Sequence, residues 1–419
     1  MRDRTNARRH IWSVCAAVGL VTIPMIAGAL VDGLNSPAKV VLYASVGEEL
    51  TAYSVDIDHA TLTKQATVTL PGFVQEAWAA ATPNLYVAWS NGGSSYAGSG
   101  VSPVGDKHGI TAFRIDPSTG ALRTHGSPAA LRARPIYITG DTAGRHLLVA
   151  YNDPSGISVH ALESNGAVGS EIPQPASLDV GIYAHQVRVM SGSKSVILVT
   201  RGNQATSTTR EDPGGVKVFR YDDGKLSGGM SIAPGNGLGF RSRHLDFHPT
   251  RAWAFLTLES QNRLQVYSTK DGTLGGAPLF SRSTLASGAG EAPGQTASTV
   301  HVHPNGQFVY VGNRNGNPAD TGGSNDIAVF RINQDTGDPT LVQNIDTHGV
   351  TPRTFSIDPG GRLLVVGNQT TVGAADAEKI PANLALFRIR NDGRLEFVRR
   401  YDVAVGRKPL WWMGIVALQ

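Results

Sequence analysis

The chain has one cysteine in 419 residues, Cys15, and it falls in an apolar run near the N-terminus. A disulfide framework, a cysteine metal site and a thiol nucleophile are thereby excluded from everything beyond that run. Charge is scarce as well: 17% of residues are Asp, Glu, Lys or Arg. The formal excess of +4 comes from the N-terminus, where Arg2, Arg4, Arg8 and Arg9 face Asp3 alone; without those five the chain carries 33 basic and 32 acidic residues. So even a balance, with no basic run interleaved with aromatics, gives no footprint for nucleic acid. Also missing are a glycine-rich nucleotide loop, HExxH, GxSxG and the WD dipeptides of peptide-binding repeat arrays. No carboxylate cluster is placed to hold calcium or another metal, and there are no tryptophan docking repeats for a quinone group. No cofactor is therefore expected.

Glycine is abundant, at 49 residues, beside 41% apolar residues. That suits an all-β chain with many tight turns and ample core. The first 29 residues read separately. Arg8-Arg9 closes a positive stretch, Ile11 to Ala27 is apolar, and Ala27-Gly28-Ala29 fits a small-x-small cleavage site. This is the pattern of an export signal, with adjacent arginines suited to a twin-arginine route. A periplasmic or secreted protein with no membrane span after cleavage is expected. The competing reading is an uncleaved anchor.

From residue 39 to 419 the chain repeats itself. VHVHPNGQFVYVGNRNG (Val300 to Gly316) and NDIAVFRINQDTGDPTLVQ (Asn325 to Gln343) are followed by PRTFSIDPGGRLLVVGNQT (Pro352 to Thr370) and ANLALFRIRNDGRLEFVRR (Ala382 to Arg400). Each pair spells four antiparallel strands. One apolar strand recurs seven times: LYASV, LYVAWSN, LLVAYND, ILVTRGN, AFLTLES, VYVGNRN and LLVVGNQ. A partner strand follows each, and most then turn at glycine (STGALR, SNGAVG, DDGKLS, KDGTLG, DTGDPT, NDGRLE) into a further strand. A period of about 40–60 residues with this content predicts a seven-bladed β-propeller of four-stranded blades. Blade one lacks its innermost strand, and PLWWMGIVAL (Pro409 to Leu418) is left over to supply it and close the ring. Long insertions at Ser90 to Gly109, Asn203 to Gly215, Asn313 to Asp326 and Asn368 to Ala382 share one register, so they belong on one face.

Charged residues gather at strand ends on that same face. Arg243 and His244 open a strand of blade five, and Glu259 ends the next, so Arg243 and Glu259 can meet. Arg353 and His185 open the matching strands of blades seven and four. A salt bridge that merely fixes one blade would explain the first pair. Four such residues at one register, where innermost strands enter a central channel, point to a site. Asn313 and Arg314, at the end of a blade-six strand, are candidates with His244 for binding substrate.

HPNGQFVYVGNR, IAVFRINQDTGDPTLVQ, TPRTFSIDPGGRLLVVGNQ and RHLDFHP followed by LESQNRLQVY resemble the seven-bladed lactonase family, which holds propeller-type 6-phosphogluconolactonases and fungal carboxymuconate lactonising enzymes. The resemblance covers about Leu42 to Val416. It implies a metal-free site in which Arg243, Glu259, Arg353 and His185 take the family's catalytic positions. Two stretches differ from the family pattern: Arg201-Gly202-Asn203 stands where Asp-Leu-Gly is common, and Ile182-Tyr183-Ala184-His185 carries one histidine where Pro-His-x-His is common. The expected activity is opening of an anionic lactone, with lactone formation from a carboxylate as the reverse chemistry, by a monomer acting on a small molecule. The alternative from another class is a non-catalytic exported propeller that binds a protein or sugar.

Overall fold

The computed structural model describes residues 39–92, 105–190, 192, 194–290, 292–316, 322–373 and 379–418. The expected export signal lies outside them, as do parts of three of the long insertions.

Seven antiparallel sheets follow one another along the chain. In each, the recurrent apolar segment is the second strand. Phe308–Arg314 and His146–Asn152 are buried along their whole length. A strand covered on both faces by neighbouring blades has no solvent side, which is why these segments read as unbroken apolar runs. Outer strands such as Lys225–Ile232 are mostly exposed. In blade two a two-residue strand, Ala129–Ala130, adds to the pairing of the third strand.

Blade five departs from the predicted pattern. The KDGTLG segment does not turn straight into an outer strand. Lys270–Gly272 forms a short 3-10 turn, and the outer strand is Phe280–Ser283. Leu274, between them, is drawn into the apolar core shared by blades four and five.

Ring closure is as expected. Leu410–Ala417 pairs antiparallel with Val40–Val46, placing Leu42 opposite Ile415, and becomes the innermost strand of blade one. Every innermost strand then contacts those of both adjoining blades around the ring. There is no single core. Seven apolar clusters each lie between two adjacent blades, from Val41, Tyr43 and Trp411 against Val74 and Val87 (one and two) to Leu363 and Leu384 against Leu42 and Met413 (seven and one). Apolar burial is thus spent between blades, and the axis is left to polar side chains. Among the described residues no helix is long and apolar enough to cross a membrane.

Candidate active site

One irregularity recurs where each innermost strand begins. In all seven blades the pairing of the first and second strands shifts register there, with one extra residue on the innermost strand. The residues set inside these bulges are Trp411 and Trp412, Gln75, Ile136, His185, Arg243 and His244, Ser298 and Thr299, and Arg353 in blades one to seven. A bulge bends the strand and re-aims side chains. Neighbours on a regular strand point to opposite faces, yet Arg243 Nη1 comes within 3.3 Å of His244 Nε2.

Glu259 is the centre of this end. Its backbone is pinned on both sides: its N–H donates to the Arg241 carbonyl (2.7 Å), and its carbonyl accepts from Ala297 of blade six (2.9 Å). Arg314 Nη2 donates to Oε1 at 2.5 Å, and Arg201 Nη1 and Arg243 Nε lie 3.6 and 3.8 Å from Oε2. Three guanidiniums from three blades therefore surround one carboxylate. Burial pushes its pKa up, but Arg314, Arg243 and Arg201 together outweigh burial and hold it below the usual glutamate range. Arg314, a substrate-binding candidate by sequence, is buried here.

Arg201 was seen in the sequence only as a departure from the family pattern; here it reaches the site. Its guanidinium stacks on Tyr183 (4.1 Å). Gly202 (φ 67°) follows, where a Cβ would meet the Asp212 carbonyl oxygen at 2.3 Å, so the insertion can fold back on itself only over glycine. A cavity of about 370 Å³ opens over Glu259, with Arg201, Gln204 and Arg241 in its wall.

The two histidines differ. His244 has both ring nitrogens committed: Arg243 donates to Nε2, and Nδ1 contacts Thr299 Oγ1 at 3.3 Å. Because Thr299 spends its own proton on the Arg353 carbonyl (2.9 Å), Nδ1 is the donor and the ring is a neutral linker. That takes His244 out of direct substrate binding and makes it a support for Arg243. His185 packs edge-on to it, with ring centroids 5.0 Å apart, and its buried Nδ1 has no hydrogen-bond partner among the described residues. Burial first, then Arg243, His244, Arg201 and Arg353, push the His185 pKa well below its ordinary value; burial, Arg243 and Arg353 do the same to His244. Arg353 is buried, stacked on Trp411 at 3.7 Å and bonded to the Trp411 carbonyl at 3.1 Å.

Asn313 is removed from the candidates by its bonds. Nδ2 donates to the Thr284 carbonyl (2.7 Å) and Asp326 Oδ1 (2.8 Å), and Oδ1 accepts from Thr284 (2.7 Å). Asn368 makes the matching pair of bonds in blade seven, to the Thr347 carbonyl and Asn383. A residue that recurs with its partners is a blade fastener. The histidines of the HP turns behave alike: His248 and His303 bond the Gly306 and Gly361 carbonyls of the next blade.

Sequence reasoning passed over Glu76, on the innermost strand of blade two (Phe73–Ala79). A signal was available, because Glu76 and Asp246 are the two acidic residues on innermost strands, and Asp246 is paired with Arg188 (3.0 Å). Among the described residues no group of three or more His, Cys, Asp or Glu could hold a metal ion.

A family model described as lactonase, seven-bladed β-propeller, matches residues 43–376. A 6-phosphogluconolactonase of Bacillus subtilis is 28% identical over 292 residues, 68% of this chain and 75% of that protein. One from Pectobacterium atrosepticum is 27% identical over 365 residues, 85% and 92% of the two chains. Among solved structures, a periplasmic gluconolactonase of Pseudomonas aeruginosa superposes with a TM-score of 0.68 at 21% identity, covering 91% of this chain and all of that one. A Lactobacillus plantarum protein gives 0.66 at 22% identity, covering 90% and 99%. At those identities the structures speak for the fold. The match to the family model, over most of the ring, says more: the chain belongs to the seven-bladed β-propeller lactonase family.

Proposed function

We propose that this protein hydrolyses a lactone bearing an anionic group, at the bulged end of its channel and outside the cytoplasm. The observation that carries this is charge imbalance. Arg201, Arg243 and Arg314 converge on Glu259, and Arg353 stands close enough to depress both histidines. A gathering of guanidinium groups, each able to offer paired donors to carboxylate or phosphate oxygens, suits an anionic substrate group. The relatives named for a phosphorylated sugar lactone fit that class. The export pattern of residues 1–29 supports a site facing the periplasm or the exterior.

Arg243 and Arg353 suit the carbonyl and the oxyanion, since a guanidinium offers fixed, paired donors to developing negative charge. His185 is the base that takes a proton from the attacking water. A strongly depressed pKa makes a poor base, but part of the depression comes from the arginines. A bound anion offsets their field, so His185 gains basicity when substrate is present. Glu259 stays ionised and orients the arginines.

Hydrolysis by the purified mature chain of a panel of anionic and neutral lactones, followed as acid release, tests this. Turnover that prefers anionic members and is lost in folded Arg353→Ala and His185→Gln is expected. Absence of turnover on every member, or turnover indifferent to both substitutions, would sink the reading and favour a binding propeller.

A further inference from the structure

Most of the charge on the innermost strands beyond the bulges is internally satisfied. Arg188 pairs with Asp246 at 3.0 Å; Asp246 also accepts from the Val302 N–H (3.0 Å) and lies 3.6 Å from His301. Glu76 is different. It follows the bulged Gln75 and is partly accessible. No arginine, lysine or histidine among the described residues forms an ion pair with it. Its Oε1 receives the backbone N–H of Ala77, at 3.4 Å, and the Trp412 side chain also hydrogen-bonds the carboxyl. The ionisable groups that face it are Arg353 from blade seven, Arg243 from blade five and Tyr137 from blade three. Two of these are the arginines assigned to the carbonyl and oxyanion.

We propose that Glu76 is a further catalytic residue, the acid that protonates the ring oxygen as the lactone opens. The role rests on the lactonase reading above. Two carboxyls share this channel, and their surroundings drive them apart. Glu259 is held ionised by three arginines. Burial pushes Glu76 up to about 8 against the pull of Arg353, the Ala77 amide, Trp412 and Arg243, so it carries a proton at neutral pH. Divergence of this kind separates acid from base in a site. An unpaired carboxyl beside a channel is also costly to bury, and glutamine would fit the same space without that cost.

The proton and electron count closes. Water oxygen adds to the carbonyl carbon as His185 takes one water proton. Negative charge on the carbonyl oxygen is held by Arg243 and Arg353. The bond from the acyl carbon to the ring oxygen then breaks, and its electron pair goes to the ring oxygen, which takes the Glu76 proton. The products are a hydroxy acid, a Glu76 carboxylate and protonated His185; passage of that proton back through solvent resets both groups.

The test uses leaving groups. An aliphatic lactone expels a basic alkoxide and needs an acid, whereas an aryl lactone such as dihydrocoumarin expels a phenoxide and does not. With Glu76→Gln, kcat on an anionic aliphatic lactone is expected to fall about 10²–10⁴-fold, the usual range for general acid catalysis, while the aryl lactone is little affected. Wild-type kcat on the aliphatic substrate falls as pH passes about 8, and the variant lacks that limb. Equal loss on both lactones, or no loss on either, overturns the role while leaving the lactonase reading intact. Wild type that opens no lactone overturns both. Should Glu76→Gln not fold, Glu76→Asp and the wild-type alkaline limb decide: a profile flat through pH 9 refutes the assignment.

Discussion

Replacing Glu259 by glutamine keeps the shape of the side chain and removes its charge. Three guanidiniums are then left facing one another. In surroundings of effective dielectric about 20, one unit pair at 4 Å is worth about 4 kcal/mol before desolvation, and Glu259 makes three such approaches, at 2.5, 3.6 and 3.8 Å. Removal of the carboxylate also spares its own burial cost. The net for breaking a buried pair from one side is about 3–5 kcal/mol, a large part of the roughly 5–15 kcal/mol that holds a domain folded. Chemical denaturation at pH 7 and low salt reads this as a lower midpoint at unchanged slope. Adding Arg201→Gln to Glu259→Gln relieves part of the repulsion, so the double variant is more stable than the sum of the singles by about 1 kcal/mol or more. Millimolar phosphate also stabilises Glu259→Gln more than wild type, because the anion takes the place of the carboxylate. A single variant within about 1 kcal/mol of wild type, or a strictly additive pair, would refute Glu259 as the hub of the arginines.

Arg353→Ala removes one donor to the oxyanion and is expected to cost about 10²–10³ in kcat, with near-normal circular dichroism; steady-state kinetics on the lactone found by the panel measures it. Truncation before Leu410 deletes the innermost strand of blade one and bares the second strand, Val40–Val46; aggregation or loss of cooperative melting is expected, and a sharp melt of soluble monomer would contradict it. His185 and His244 have folded pKa values below the unfolded value of about 6.5. The unfolded chain therefore takes up protons first, so stability is full above pH 6.5 and declines below it; His185→Gln flattens that decline in denaturation midpoints measured between pH 7 and 5. Glu76 has the opposite sign. Its folded pKa lies near 8 against an unfolded value of about 4.3, so its contribution to stability falls as pH rises between those limits and is constant above them. Glu76→Gln should accordingly melt higher than wild type at pH 8 and gain nothing at pH 4.

The blade count, the strand order and the ring closure were all legible, because each rests on patterns that repeat: buried second strands, glycine turns and a spare strand at the C-terminus. Repetition also separates structure from chemistry. Asn313 with Asn368, and His248 with His303, recur at one register and fasten blades. The occupants of the bulges vary from blade to blade instead, and the structure brings His185, Arg243 and Arg353 to the same end of the ring as Glu259. Asn313, expected among substrate contacts, shares its bonding pattern with Asn368. Arg201 and Glu76 escaped for a different reason. Arg201 depends on a loop that folds back over Gly202, which no repeat foretells, and Glu76 on a bulge that breaks strand alternation, so that its one signal was to be an acidic residue on an innermost strand. The outer strand of blade five was misplaced because KDG looks like its counterparts, while burial of Leu274 decides where the chain goes next.

The sevenfold bulge has a consequence for how such a protein can change. Every blade presents one extra residue at the same mouth, outside the regular strand pairing that holds the sheet together. Each is a socket whose occupant lies outside the ladder but keeps ties of its own to the ring, as Arg353 does to the Trp411 carbonyl. Blade three fills its socket with Ile136, part of the apolar cluster shared with blade four, and blade two with Gln75, which accepts from the buried Arg134 at 3.2 Å, so neither brings charge beside His185, Arg243 and Arg353. A new preference for substrate could be written into those two positions one residue at a time, by ordinary point substitution, without redesigning a blade.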